Sequence, residues 1–204
     1  MKIPEKTIER LLHYYRYLHI LSQQGTLFVS SKNFASLMTI KPDQVRKDLS
    51  YFGRLGKRGA GYDVLLLRNK IAEILGIAKE SKVCIVGMGS LGSAMAAYKG
   101  FETLGFKIVA VFDNSEIKIG RKIRGYYCYD IKQLDEVIKR GKISIAMLTV
   151  PTEAAKETAT NLAKAGIKGI MNFSPVKLTL TGKIKVRNID MAQELKTLSF
   201  FIEK

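Results

Sequence analysis

The sequence predicts two domains, a helical domain over residues 1–80 followed by an α/β domain with a doubly wound parallel sheet over residues 81–189. In the first part of the chain, apolar residues recur at helical spacing. In the second part, short apolar runs alternate with helix-forming segments, as in parallel strands joined by crossover helices. A last helix over residues 190–204, with Asp190 as its expected N-cap, carries an apolar stripe that must dock on its own sheet or on a second subunit. The stripe consists of Leu195, Leu198, Phe201 and Ile202.

The first domain has the helices of a helix–turn–helix. A long amphipathic helix is predicted over residues 4–24, and Ser30 or Ser31 can cap a short second helix. Pro42 suits the first turn of a third helix, and residues 65–75 form a fourth. On the third helix the predicted core-facing residues are Val45, Leu49 and Phe52.

The outward face of the third helix has the chemistry for a DNA groove. Its residues are Gln44, Arg46, Lys47, Ser50 and Tyr51. Basic side chains neutralise phosphates or contact guanine, glutamine pairs with adenine, and hydroxyl groups bond to phosphate oxygens. The segment 53–62 then combines four glycines with three basic residues, which suits a hairpin tip lying along phosphates. A helix–turn–helix followed by a basic hairpin is the winged-helix plan, so we predict a winged-helix DNA-binding domain; the net charge of +16 agrees with a polyanionic partner.

The second domain opens with a strand over residues 83–86, a glycine-rich turn and a helix. The turn consists of Gly87, Met88, Gly89, Ser90, Leu91 and Gly92. In the dinucleotide fingerprint the first glycine allows a tight turn, the second lets the backbone approach a pyrophosphate, and the third lets the helix pack on the sheet. Asp113 ends the next strand, where a carboxylate accepts a hydrogen bond from a ribose hydroxyl and repels a 2′-phosphate. We therefore predict a Rossmann domain that binds NAD(H).

The α/β alternation continues to residue 189. Further strands are expected at 126–129, 143–150, 169–173 and 184–189, and helices at 131–139 and 152–165. Ligands in such sheets lie at the carboxyl ends of the strands. The turns there contain Thr149, Val150, Pro151, Phe173 and Ser174, which we place near the far half of the cofactor. Ordinary turn chemistry is the alternative for both turns.

The residue types needed for catalysis do not form a recognisable set. The histidines are His13 and His19, on different faces of the first helix, and the sequence has no metal-ligand cluster, Tyr-x-x-x-Lys spacing or Gly-x-Ser-x-Gly elbow. Dinucleotide binding without acid–base groups indicates a sensor rather than an enzyme. Two alternatives stay open, a nicotinamide-dependent oxidoreductase and a nucleotide- or CoA-binding regulatory module without DNA activity, and the basic hairpin argues against both.

Composition favours a cytoplasmic protein with no membrane partner. No apolar run is long enough to span a bilayer, and the charged N-terminus lacks the apolar region of a signal peptide. Cys84 and Cys128 lie in strand-like segments, so we expect buried, reduced thiols.

In combination, these motifs resemble the Rex family of redox-sensing transcriptional repressors. The matching stretches are QVRKDLSYFG at 44–53, GKRGAGYDV at 56–64, IVGMGSLG at 85–92, YKGF at 98–101, VFD at 111–113, LTVP at 148–151, GIMNFSP at 169–175 and NIDMAQEL at 188–195. The resemblance implies a homodimer with exchanged C-terminal helices that binds a palindromic double-stranded operator. It also implies repression when NAD⁺ dominates and release from DNA when NADH binds.

The resemblance implies roles for individual residues. Lys47, Ser50 and Tyr51 would meet the major groove with Arg46 on phosphate, and Lys57, Arg58 and Gly59 would form the wing. The adenosine half of NAD(H) would lie at Gly87, Gly89, Gly92 and Asp113, and the nicotinamide towards Tyr98, Pro151, Phe173 and Ser174. Arg16, Tyr98 and Asp190 match positions that couple the ring to domain orientation. The chain departs from the usual family pattern at Lys41, Arg54, Ser90 and Arg124.

Overall fold

The structure is a computed structural model that describes residues 3–53, 55–56 and 61–202 of the 204-residue chain. The chain divides into two compact units, Met1–Lys79 and Glu80–Lys204. Each unit has a hydrophobic core of its own. Within the described ranges, no helix is both long and apolar enough to cross a lipid bilayer.

The first unit is helical, with one short antiparallel ladder. Its helices are α1 (Glu5–Gln23), α2 (Ser31–Leu37), α3 (Pro42–Ser50) and α4 (Val64–Leu75). Strands β1 (Phe28–Val29) and β2 (Tyr62–Asp63) pair with each other. Ser30 caps α2, because its hydroxyl oxygen accepts a hydrogen bond from the Asn33 N–H at 3.1 Å. Pro42 occupies the first turn of α3, as predicted.

The core of the first unit is built from residues of all four helices and of β1. On α3, Val45 and Leu49 are buried, as the helical spacing predicted; Phe52 lies just beyond the end of α3 and packs half-buried against the same core. Tyr14 of α1 is also fully buried, with its ring centroid 5.1 Å from that of Phe34. A buried tyrosine requires a hydrogen-bond partner for its hydroxyl.

The second unit is an α/β sandwich around one sheet. Its strands are β3 (Ser81–Val86), β4 (Phe106–Asp113), β5 (Lys122–Ile123), β6 (Tyr126–Asp130), β7 (Ile145–Leu148), β8 (Gly169–Asn172) and β9 (Lys185–Asn188). Its helices are α5 (Ser90–Ala97), α6 (Leu134–Gly141), α7 (Thr152–Lys164) and α8 (Met191–Ile202), with a 3₁₀ turn at Lys99–Leu104.

The strand order is β5-β6-β4-β3-β7-β8-β9, and every neighbouring pair is parallel except the β5–β6 hairpin. The order therefore runs outward in both directions from β3. Helices α6 and α7 pack in one core cluster, whereas α5 contributes Ala96 to a second cluster. This arrangement confirms the predicted doubly wound parallel sheet, in which ligands bind outside the carboxyl ends of the strands where the strand order reverses, here beside β3.

One predicted helix differs from the structure, and one short strand was not predicted. The helix expected over 131–139 begins with a 3₁₀ turn at Ile131–Gln133, whose N-terminus is closed by a capping box of Asp130 and Gln133, and continues as α6 to Gly141. The short strand β5 was not predicted, since two residues are too few to show a periodic pattern. At the C-terminal end, Asp190 caps α8 as predicted, with Oδ1 3.0 Å from the Gln193 nitrogen.

Candidate functional site

The glycine-rich turn is held tightly against β7. Gly87 has a φ of +96°, and a Cβ atom there would lie 2.7 Å from the Thr149 carbonyl oxygen. A Cβ atom at Gly92 would overlap the Gly87 carbonyl oxygen. Neighbouring backbone therefore requires glycine at both positions, because any side chain would push the turn away from the sheet.

Gly89 differs from these two glycines. Its φ is −71°, which any residue adopts, and a Cβ atom built on it meets nothing within 4 Å. It is the N-cap residue of α5, and no side chain caps that helix. The space in front of Gly89 and the first-turn N–H groups of α5 thus form a cradle that suits a diphosphate group.

The turns that follow β7 and β8 are held in place by side-chain hydrogen bonds to neighbouring backbone. The Thr149 hydroxyl donates a hydrogen bond to the Gly87 carbonyl oxygen at 2.7 Å. The Ser174 hydroxyl donates to the Val150 carbonyl oxygen at 2.6 Å, so the turns after β7 and β8 contact each other. Pro151 is exposed, and Phe173 in the turn after β8 is half-buried.

Asp113 connects the end of β4 to the glycine-rich turn. Its Oδ2 accepts hydrogen bonds from the Met88 N–H at 2.7 Å and from the Lys118 ammonium at 3.0 Å, and its Oδ1 accepts from the Ser115 N–H at 2.9 Å. Burial by itself raises the pKa of Asp113, but the hydrogen bonds from Lys118, Ser115 and Met88 outweigh it and hold the pKa below its usual value. The carboxylate is therefore charged at neutral pH, as the fingerprint requires.

Tyr98 lies at the C-terminal end of α5. Its side chain is 57% exposed, and its ring packs edge-on against Phe101 with the centroids 5.0 Å apart. Asp190 is half-buried at the start of α8 in the same unit, whereas Arg16 is an exposed residue of α1 in the first unit.

On α3, the predicted DNA face is partly engaged in contacts within the first unit. Lys47 and Ser50 are exposed and Tyr51 is half-buried. Arg46 forms an ion pair with Asp43 and donates a hydrogen bond to the Ser31 hydroxyl. The predicted wing residues Lys57, Arg58 and Gly59, together with the departure at Arg54, lie outside the described residues.

Gln44 is half-buried on α3, and its amide donates a hydrogen bond to Asp48 Oδ1 at 2.9 Å. Asp48 is a residue that the sequence analysis did not single out. Its carboxylate is fully buried and also accepts hydrogen bonds from Arg10, Tyr14 and Thr7 of α1. Asp48 thus fixes α3 against α1.

The position of Asp48 in the helical pattern of α3 indicates that its side chain is buried. Asp48 lies three residues after Val45 and one before Leu49, on the face that the apolar spacing directs to the core. A carboxylate on a core face must be paired. Burial raises the pKa of Asp48, but hydrogen bonds from Arg10, Gln44 and Tyr14 outweigh it and lower the pKa from its ordinary 3.8.

Helix α8 presents apolar side chains to solvent. Leu195 is 68% exposed, Leu198 57% and Phe201 71%, and no described residue of α8 is buried. An exposed apolar helix face of this kind marks an interaction surface.

Both units of the chain are similar to known protein families. The family model "Putative DNA-binding protein N-terminus" matches residues 2–50, and the model "CoA binding domain" matches residues 78–176. The "Redox-sensing transcriptional repressor Rex" of Carboxydothermus hydrogenoformans is 45% identical over 203 residues, which cover 100% of this chain and 98% of that protein.

Solved structures of the repressor RSP, a Rex-family repressor, are also similar to this chain. RSP in complex with β-NAD⁺ and operator DNA has a TM-score of 0.94 and 35% identity, over 99% of this chain and 93% of that chain. RSP in complex with β-NADH has a TM-score of 0.87 and 34% identity, over 99% and 95% of the two chains. These matches confirm the predicted fold class and the resemblance noted from the motifs: the chain belongs to the Rex family of redox-sensing transcriptional repressors.

Proposed function

We propose that this protein is a cytoplasmic transcriptional repressor that senses the NADH/NAD⁺ ratio. It binds a palindromic operator when NAD⁺ dominates and leaves the operator when NADH binds. The observation that carries this proposal is the similarity, over 99% of the chain, to one repressor solved both with NAD⁺ on operator DNA and with NADH. The geometry of the two units supports it.

The residues of the second unit fit NAD(H). The cradle in front of Gly89 suits the diphosphate, and the charged Asp113 at the end of β4 suits the adenosine ribose. We assign the turn Gly87–Gly92 and Asp113 to the adenosine half, and Tyr98, the turn Thr149–Pro151, Phe173 and Ser174 to the nicotinamide side. Bound there, the cofactor supplies a nicotinamide ring that carries positive charge only in its oxidised form.

The two cysteines are not suited to sense redox state by oxidation of their thiols. Cys84 and Cys128 are both buried and unpaired. Burial raises the pKa of the Cys84 thiol to about 12, and burial together with the nearby Asp113 raises the pKa of Cys128. Reactive thiols need a lowered pKa and exposure. The redox response is therefore assigned to the cofactor.

The first unit provides the DNA contacts. Lys47 and Ser50 of α3 and Tyr51 at its C-terminal end are assigned to the major groove and Arg46 to a phosphate, with the segment containing Lys57, Arg58 and Gly59 as the wing. Gln44 of the same helix is assigned to the DNA face as well, and its amide also donates a hydrogen bond to Asp48. The exposed, basic side chains of α3 support this assignment.

The active form is assigned as a homodimer with exchanged C-terminal helices. The apolar face of α8 supports this, because its leucine and phenylalanine side chains are uncovered within the described chain. A two-fold dimer matches the symmetry of a palindrome. We assign to Arg16, Tyr98 and Asp190 the coupling between cofactor state and DNA binding.

Replacing Gly89 by alanine tests the cofactor assignment. The variant should fold with unchanged thermal stability, since the added Cβ meets open space and φ is ordinary. It should lose at least about tenfold in NADH affinity, because the methyl group takes the place that the diphosphate needs. Operator affinity without cofactor should stay at the level of the unmodified protein, measured by fluorescence anisotropy of labelled DNA.

Under saturating conditions for the unmodified protein, NADH should fail to release the Gly89→Ala variant from its operator. A variant that binds NADH normally and is released normally would contradict the assignment. The matched comparison is Gly92→Ala, which should lower thermal stability because its Cβ overlaps the Gly87 carbonyl oxygen.

A further inference from the structure

The Lys118 ammonium takes up one of the acceptor positions of the Asp113 carboxylate, which the proposed cofactor site needs for the ribose. Its ammonium lies 3.0 Å from Asp113 Oδ2, the same oxygen that accepts the Met88 N–H at 2.7 Å. Among the residues that the structure describes, Oδ1 accepts a hydrogen bond from the Ser115 N–H and from no other donor. A carboxylate has about four lone-pair sites, two on each oxygen. Oδ2 is therefore full, and Oδ1 has one site left.

A ribose has two neighbouring hydroxyl groups to donate. One hydroxyl can take the remaining site on Oδ1, but the other finds Oδ2 occupied by Met88 and Lys118. The Met88 N–H belongs to the glycine-rich turn and stays in place when that turn holds a diphosphate. The Lys118 side chain is 35% exposed and flexible, so it is the donor that can withdraw.

The backbone around Lys118 is fixed, so only its side chain needs to move. The Lys118 N–H donates to the Ser115 carbonyl oxygen at 2.9 Å, and its own carbonyl oxygen accepts from the Arg121 N–H at 3.1 Å. The Gly120 N–H donates to the Cys128 carbonyl oxygen of β6 at 2.9 Å. After withdrawing from Oδ2, the ammonium stays near the ribose that Asp113 binds.

We propose that Lys118 is a specificity-determining residue of the NAD(H) site, which opposes Asp113 in the choice between NAD(H) and NADP(H). This inference rests on the proposed function. Asp113 repels a 2′-phosphate, whereas the Lys118 ammonium attracts it and also competes with the ribose for Oδ2. Lys118 thus weakens the preference for NAD(H) that Asp113 alone would give.

The first test replaces Lys118 by methionine, which keeps the length of the side chain and removes the charge. We expect tighter NADH binding and weaker NADPH binding, so that the ratio of their dissociation constants changes by about tenfold in favour of NADH. Dissociation constants come from calorimetry, and thermal unfolding without cofactor checks the fold. Lys107→Met is the control, because Lys107 pairs with Glu80 at the opposite end of β4 and should leave the ratio unchanged.

The second test asks whether Lys118 acts on the 2′-phosphate itself. Asp113→Asn keeps an acceptor for the Met88 N–H but frees the ammonium, so NADPH affinity should rise by about tenfold. That gain should disappear in the double variant Asp113→Asn with Lys118→Met. A gain that persists in the double variant, or an unchanged ratio in Lys118→Met, overturns the role of Lys118 alone. An unmodified protein that binds neither NAD⁺ nor NADH overturns the proposed function as well.

Discussion

Replacing Asp48 by asparagine should lower the free energy of unfolding by about 3 kcal/mol. The Asp48 carboxylate is fully buried and accepts hydrogen bonds from four side chains, those of Thr7, Arg10, Tyr14 and Gln44. Asparagine has one acceptor oxygen and no charge, so the Arg10 guanidinium loses its ion pair and some donors lose their acceptor. Urea unfolding followed by circular dichroism measures this loss.

The control is Asp43→Asn on the same helix. Asp43 pairs with Arg46, but its side chain is 82% exposed, and the free energy of unfolding should change by less than about 1 kcal/mol. Equal unfolding midpoints for the Asp48→Asn variant and the unmodified protein would contradict the structural role of Asp48. Operator affinity should also fall in Asp48→Asn, because α3 is no longer fixed on α1.

The stability that Asp48 contributes should depend on pH. Its pKa in the folded protein lies below the ordinary 3.8, so its contribution is complete above that pH and is lost as pH falls through the folded pKa. The difference in unfolding free energy between the unmodified protein and Asp48→Asn should therefore be constant at neutral pH. Below pH 3.8 the difference should shrink, and a difference that grows there would contradict the pairing.

Replacing both Leu195 and Leu198 of α8 by glutamate should convert the proposed dimer into monomers. These side chains are 68% and 57% exposed in the chain itself, so the substitutions cost little within one subunit. In an interface they would bury two carboxylates without partners, which costs several kcal/mol. Sedimentation equilibrium gives the mass directly, and Lys196→Gln on the polar side of the same helix is the control.

The loss of the dimer should also weaken operator binding by about a hundredfold or more, because two linked half-site contacts become separate binding events. A double glutamate variant that keeps the mass and operator affinity of the unmodified protein would show that α8 is not the dimer contact.

The glycine-rich turn and the Asp113 carboxylate could be predicted from the sequence because each depends on residues that are close together in the chain. The spacing of Gly87, Gly89 and Gly92 encodes a turn between a strand and a helix, and the strand ending at Asp113 is short and apolar. The doubly wound sheet follows from the alternation of such segments, since parallel strands need crossovers.

The contacts of Asp48 and Lys118 could not be predicted in the same way. The partner of Asp48 is Arg10, 38 residues earlier on another helix, and the sequence does not indicate which of its many basic residues reaches a given carboxylate. The hydrogen bond from the Gln44 amide to Asp48 could not be predicted either, because it depends on the burial of that carboxylate. Lys118 contacts Asp113 only because the turn after β4 folds back.

The most direct test of the account measures operator binding with the two forms of the cofactor. The purified protein first selects a palindromic duplex from a random library, and fluorescence anisotropy then follows the labelled duplex with saturating NAD⁺ or saturating NADH. We expect the protein to stay bound with NAD⁺ and to dissociate with NADH. A shift from about 99% bound to about 99% free requires NADH to favour the DNA-free form by about 5.5 kcal/mol, shared between the cofactors of a dimer. Equal operator affinity with both forms at saturation would contradict the account.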